Sequence, residues 1–143
     1  LEKGVLEQKK GLLDICKDVG ISKPLIDTAA TALGAGAGSA AAFTFVSKTL
    51  YGLPTGSGIH NVVSSWAWLR KFKKVNSEAY HAADVASNLI VQMMGADYIL
   101  YGPIENADRV FPIVAMGNAF AAESAYLEFG LEPSQDHPFK KLL

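Results

Sequence analysis

The chain reads as an α/β fold built from parallel βα units, and three observations carry that reading. Three segments have the form of a short apolar strand with a polar exit: Lys-Pro-Leu-Ile-Asp-Thr at 23–28, Gly-Leu-Pro-Thr-Gly-Ser-Gly-Ile-His-Asn at 52–61, and Gly-Ala-Asp-Tyr-Ile-Leu-Tyr-Gly-Pro-Ile-Glu-Asn at 95–106. Each is followed by a helical pattern. The groups at the exits, Asp27, Asn61 and the pair Glu105 and Asn106, are hydrogen-bonding side chains where a parallel sheet places function.

The elements follow in order. Residues 1–19 have helical spacing, with Val5, Leu12, Cys16 and Val19 near one face and Gly20 as C-cap. Pro24 opens the first strand, which ends at Asp27. A glycine-rich loop over 28–38 leads to a helix over 39–51, spaced by Phe43, Val46 and Leu50 and stopped by Gly52. The second strand covers 53–58. A helix over 61–74 carries Val62, Trp66, Leu69 and Phe72 close to one stripe. The next, over 77–94, would bury Ala82, Ala86, Leu89, Ile90 and Met93. A third strand at 98–101 precedes a long helix over 106–129, with Val110, Val114, Gly117, Ala121 and Ala125 inward. The tail to Leu143 reads as an extended surface strap. No linker divides the chain, so residues 1–143 form one unit.

A closed (β/α)8 barrel typically takes about 250 residues. Three strands therefore describe part of such a barrel or a small open sheet. A partial barrel leaves interior apolar positions uncovered and needs its missing half, a dimer partner or a rearrangement.

Composition narrows the function. The 143 residues are 50% hydrophobic, enough for a core, and the formal net charge of −1 gives no basic field for nucleic acid. The single cysteine, Cys16, rules out an intramolecular disulfide. Residues 27–48 contain no charge between Asp27 and Lys48, but their Gly, Ala, Thr and Ser content is too weakly hydrophobic for a membrane span. The chain begins with Leu inside a charged helical pattern, which reads as a start within a longer protein.

Each candidate site residue has a structural reading beside a functional one. Asp27 either organises its loop or accepts hydrogen bonds from a guanidine-like ligand edge. Asn61 either caps the following helix or offers its amide to a heterocycle. His60, beside Ser57 in the same glycine-rich turn, is a possible general acid, although a lone histidine more often has a structural partner. Glu105 either favours the N-terminus of the last helix or faces the mouth. Gly34, Gly36 and Gly38 before a helix resemble a phosphate cradle but match neither the P-loop nor G-x-G-x-x-G. Arg70, Lys71, Lys73 and Lys74 suit a helix C-terminus. His60, His81, His137 and Cys16 lack metal-ligand spacing, and His81 with Asp84 reads as a surface pair. Trp66 and Trp68, two apart, cannot share a helix face, so one belongs to the core.

Together the motifs resemble the family of H subunits of tetrahydromethanopterin S-methyltransferase, from methane-metabolising archaea. The resemblance rests on Lys-Pro-Leu-Ile-Asp-Thr-Ala at 23–29, Gly-Ala-Gly-Ser-Ala at 36–40, Gly-Leu-Pro-Thr-Gly-Ser-Gly-Ile-His-Asn at 52–61, Gly-Pro-Ile-Glu-Asn-Ala at 102–107, and the ending Glu-Pro-Ser-Gln-Asp-His-Pro-Phe-Lys-Lys-Leu-Leu. It spans essentially the whole chain, which corresponds to the C-terminal half of the family protein without its N-terminal strands.

The resemblance implies a pterin-binding TIM-type barrel, similar to methyltetrahydrofolate–corrinoid methyltransferases. It implies that Asp27 binds the pterin ring and that Asn61 reaches its N5 region. The implied substrate is methyl-tetrahydromethanopterin, and the implied acceptor is a Co(I) corrinoid, a cobamide, carried by a partner subunit. The implied partners are the corrinoid-carrying and membrane subunits of a sodium-exporting complex, with the chain cytoplasmic and peripheral to the membrane. The half-barrel argument adds a homo-oligomer. A non-catalytic fragment that keeps only packing and partner contacts is a second reading. A bacterial methylcorrinoid:tetrahydrofolate methyltransferase is a third.

Overall fold

The computed structural model describes residues 10–141. Residues 1–9, including Val5 of the expected first helix, and the last two residues of the tail lie outside the described residues. The elements are α1 (Leu12–Asp18), β1 (Ile26–Asp27), α2 (Ala37–Tyr51), β2 (Thr55–Ser57), α3 (His60–Ser65), α4 (Ala67–Lys73), α5 (Ser77–Met93), β3 (Tyr98–Ile99), a 3-10 turn (Ile104–Asn106), α6 (Ala107–Phe129) and α7 (Pro138–Lys141). The fold is mixed α/β, mostly helical, with a small parallel sheet in the order β1-β2-β3. Strands consecutive in sequence are neighbours in space. All three exits therefore leave from the same edge.

Register sets the two faces of the sheet. Ile26 pairs with Thr55 and Asp27 with Gly56, while Gly56 pairs with Tyr98 and Ser57 with Ile99. Side chains alternate along a strand. Ile26, Thr55, Ser57 and Ile99 thus share the face turned to the helices. Asp27, Gly56 and Tyr98 share the other. Against the first face lies a core of Ala37 and Ala41 from α2, Ile59 and Val62, and Val91 from α5, with Ala30, Ala96 and Ile99 packed on it. A second cluster joins Val63, Leu69 and Tyr80. On the opposite face, Leu25 and Leu100 follow the alternation and are 62% and 55% exposed, so that face has no apolar cover among the described residues.

Two helices sit in a different rotational phase from the one their apolar residues predict. Helix α2 buries Ala37, Ala40, Ala41, Thr44 and Ser47 and exposes Phe43, Val46 and Leu50. Its small residues permit close approach to β2, and Thr44 satisfies its hydroxyl on the carbonyl of Ala40 at 3.4 Å. Helix α5 buries Tyr80, Asp84, Val85, Ser87, Asn88 and Val91, while Ala82, Ala86, Ile90 and Met93 are exposed. A polar face can be buried here because its members bond locally. Ser87 Oγ and Asn88 Nδ2 both donate to the Asp84 carbonyl, at 2.6 and 3.0 Å.

The expected single helix over 61–74 is two helices. Ser64 and Ser65 donate to the carbonyls of Asn61 and Val62, and Trp66 takes an extended ψ of 105°. Such back-bonding competes with the helical ladder. The break also overturns the reading of the tryptophans: the Trp66 and Trp68 rings lie tilted against each other with centroids 5.0 Å apart, and neither is buried. The tail does not run as an extended strap either. It forms α7, which packs on α6.

Helix α6 packs along α5 through Gly117, where Gln92 donates to the Val114 carbonyl and to Asn118 Oδ1 at 2.8 and 2.7 Å. Val110 and Gly117 are its buried residues. By length and composition the stretch Ile104–Phe129 is also apolar enough to cross a membrane. Its Phe111, Met116 and Phe120 are exposed.

Candidate functional site

The candidate site is the edge where the three strands end. At the β1 exit, Asp27 is exposed, and its Oδ1 accepts from the backbone N–H of Ala29 at 2.8 Å. That turn places Ala29 at φ +56°, a left-handed conformation that costs a non-glycine residue roughly 1 kcal/mol. The carboxylate is therefore oriented at a cost in backbone strain. Its Oδ2 has no hydrogen-bond partner among the described residues. The carboxylate borders an open recess of about 390 Å³ with Thr28, Ala29, Thr31 and Gly36. Gly36, at φ +112°, is the N-cap of α2.

Tyr98 adds a residue that sequence reasoning missed. Its side chain crosses the sheet over Gly56, and its Oη donates to the Ile26 carbonyl at 2.8 Å. Burial raises the phenol pKa above its ordinary value, and the Asp27 carboxylate raises it further. Asp27 and Tyr98 thus share one face electrostatically as well as by register.

At the β2 exit, Ser57 is buried and its hydroxyl has no hydrogen-bond partner among the described residues; the register turns it toward the helices, away from Asp27. Ile59 is buried and anchors the start of α3. Asn61 is exposed in the first turn of that helix and does not cap it, the N-cap being Ile59. The amide lies against Gly58, where an added Cβ would meet Nδ2 at 3.1 Å. Glycine at 58 is what leaves room for the amide.

His60 is not a lone histidine. Its Nδ1 lies 2.7 Å from Oδ1 of Asp84, whose side chain is 2% exposed. Asn106 Nδ2 donates to the other carboxylate oxygen at 2.7 Å. Asp84 is therefore not half of a surface pair with His81. It is a buried carboxylate between two rim residues, and Asn106, also buried, ties the β3 exit to it. Glu105 beside it is exposed, with no hydrogen bond among the described residues. The signal for Asp84 was present in the sequence as a polar stripe, Asp84, Ser87 and Asn88, at the same helical spacing as Val91.

Along the three strand exits the rim offers carboxylates, an amide and an imidazole. Among the described residues it offers no serine or cysteine nucleophile on the Asp27 face of the sheet, since Ser57 is turned away. Among the described residues no three His, Cys, Asp or Glu side chains gather as metal ligands.

Residues 1–134 match the model of the tetrahydromethanopterin S-methyltransferase MtrH subunit family. The chain belongs to the MtrH family. It is 54% identical over 134 residues to the MtrH protein of Methanothermobacter thermautotrophicus, a tetrahydromethanopterin S-methyltransferase subunit, with 94% of this chain and 43% of the relative covered. It is 50% identical to the corresponding subunit of Methanocaldococcus jannaschii, covering 94% and 44%, and 45% identical to that of Methanosarcina mazei, covering 99% and 46%. The chain thus spans less than half the length of these MtrH relatives and matches their C-terminal part.

Proposed function

We propose that the chain supplies the C-terminal βα units of a pterin-binding barrel of the TIM type, in a subunit that moves the methyl group from N5 of methyl-tetrahydromethanopterin. The acceptor is the Co(I) corrinoid of a partner subunit. The observation that carries the reading is the oriented carboxylate of Asp27, with one oxygen fixed in its turn and the other unpartnered among the described residues, at the end of a parallel strand. A carboxylate in that state suits the amino-pyrimidine edge of a pterin, which donates two parallel N–H groups. The names of the relatives support tetrahydromethanopterin rather than tetrahydrofolate as the pterin.

The chemical difficulty is the leaving group. When the methyl departs, the electron pair stays on N5, and an anionic nitrogen leaves poorly. The protein helps by a hydrogen bond or proton at N5 that strengthens in the transition state. Asn61, held against Gly58, is the amide nearest in role to that task. The corrinoid supplies the nucleophile, so the protein's own groups need only hold the pterin and assist N5. Such transfer also needs an open mouth for a carrier protein. The partners are then the corrinoid-carrying and membrane subunits, and the location is the cytoplasmic face of the membrane.

The natural polypeptide, mixed with methyl-tetrahydromethanopterin and cob(I)alamin, tests this in a single turnover. Methyl transfer that prefers this pterin over methyl-tetrahydrofolate is expected. Pterin binding and methyl transfer both absent would refute the reading.

A further inference from the structure

A buried carboxylate is costly unless paired, and well-packed apolar residues would stabilise the same position at least as well. Asp84 is nonetheless held between two rim elements that are far apart in sequence. Its Oδ1 receives His60 at 2.7 Å, and its Oδ2 receives Asn106 at 2.7 Å. The Asn106 nitrogen also points at the Gly102 carbonyl, 3.4 Å away. Both neighbours of that amide are acceptors, so its orientation is fixed with Nδ2 toward them. A carboxylate with both oxygens accepting leaves Nδ1 as the protonated nitrogen of His60. The ring lies under Gly102, where an added Cβ would meet Cδ2 at 3.3 Å. The side chain stays 26% exposed, and Nε2 has no protein partner among the described residues. His60 directly precedes Asn61 on the same rim.

We infer that His60 is the proton donor to the departing pterin nitrogen, with Asp84 and Asn106 as the positioning residues that fix its tautomer and aim. The inference rests on the methyl-transfer reading above. In the step, the N5–methyl bond breaks and both its electrons stay on N5. The methyl passes to the two-electron nucleophile of the corrinoid carrier. The Nε2–H bond of the imidazolium breaks, its proton forms N5–H, and the neutral ring keeps Nδ1–H on Asp84. Solvent returns the proton through the exposed edge. Asn61 then keeps its hydrogen-bonding role at the N5 region, and the proton itself comes from His60.

The test uses the natural polypeptide and two readouts. Long-range proton–nitrogen NMR of the imidazoles, with His60 assigned by its loss in His60→Gln, is expected to show Nδ1 protonated. Asp84→Asn is expected to release the neutral Nε2–H form. Single-turnover transfer from methyl-tetrahydromethanopterin to cob(I)alamin is expected to fall roughly a hundredfold in His60→Gln and at least about tenfold in Asp84→Asn, with pterin affinity within about twofold. If Asp84→Asn does not fold, His60→Gln decides alone. A wild-type protein that transfers methyl while His60→Gln keeps its rate, or a wild-type His60 with bare Nδ1, overturns the inference and leaves the methyl-transfer reading standing. An inactive wild type that also fails to bind the pterin overturns that reading instead.

Discussion

The phenol of Tyr98 crosses the middle strand to donate to the carbonyl of Ile26, 72 residues earlier, at 2.8 Å. The crossing is possible because residue 56, between them, has no side chain. A Cβ there would collide with the Tyr98 carbonyl oxygen and ring. Gly56→Ala is therefore expected to destabilise the fold by about 1–3 kcal/mol, as overpacking of a close contact does. Tyr98→Phe should cost about 1 kcal/mol, the net worth of one hydrogen bond. Urea unfolding of the natural polypeptide measures both. Equal stability of Gly56→Ala and wild type would contradict the packing.

Asp97 makes the sheet's stability depend on acid. Burial favours its neutral form, but the hydrogen bond from Lys48, the backbone N–H of Thr55 and the Lys48 charge outweigh burial and lower its pKa below the usual carboxylate value. Lys48 Nζ lies 2.6 Å from Oδ1 and the Thr55 N–H donates to Oδ2 at 3.0 Å. A lowered folded pKa means stability that is present above the unfolded carboxylate pKa and lost as pH falls through the folded value. The pair is partly exposed, so solvent screening keeps its effect within the roughly 0–1 kcal/mol of surface pairs. Asp97→Asn should lower the melting temperature near neutral pH, with the difference from wild type shrinking below about pH 4. A difference that stays constant down to strong acid would show that Asp97 does not act through its charge.

Much of the frame was legible in the sequence. Pro24, Gly52 and Gly95 delimit the strands, and the polar exits of those strands do lie on one edge of a parallel sheet. The helix phases were not legible. In α2 and α5 the large apolar residues that mark a hydrophobic face point away from this chain's core, and small or polar residues occupy it. Periodicity finds the apolar face of a helix but cannot say which body covers it. Asp84 was hidden for a related reason, because its partner His60 is 24 residues away and a nearer histidine, His81, sits at helical spacing. The Trp66–Trp68 contact required a helix break that two serines cause locally.

The shifted phases yield a prediction about autonomy. Phe43, Phe45 and Leu50 on α2, Phe111, Met116 and Phe120 on α6, and Leu25 and Leu100 on the sheet are all exposed. Surface of that kind is covered in a stable protein. Residues 1–143 expressed alone should associate in solution, which sedimentation velocity measures. A monodisperse monomer of the isolated chain with a sharp unfolding transition would contradict the half-barrel account.

Asn61 and Gly58 form a second testable pair. If the amide orients N5, Asn61→Ala should lower the single-turnover rate about tenfold or more and change pterin affinity less. Gly58→Ala should reproduce part of that loss by displacing the amide, since the new Cβ would sit 3.1 Å from Nδ2. Equal rates in wild type and both variants would remove Asn61 from the site.

Glu105 is the weakest of the rim acids in structural terms. It is exposed and holds no hydrogen bond among the described residues. Glu105→Gln should therefore leave stability within about 0.5 kcal/mol of wild type, as surface substitutions do. Any effect on pterin affinity then reports contact with the ligand directly. A fall in stability of more than about 1 kcal/mol would contradict the exposed placement.

If the strand-end carboxylate of Asp27 holds the pterin, binding affinity is the direct measure. Calorimetric titration of the natural polypeptide with methyl-tetrahydromethanopterin should give a dissociation constant roughly ten- to a hundredfold weaker for Asp27→Ala than for wild type. That range corresponds to about 1.5–3 kcal/mol for a hydrogen bond to a charged acceptor. Equal affinity of Asp27→Ala and wild type, in a variant that melts at the wild-type temperature, would contradict the account.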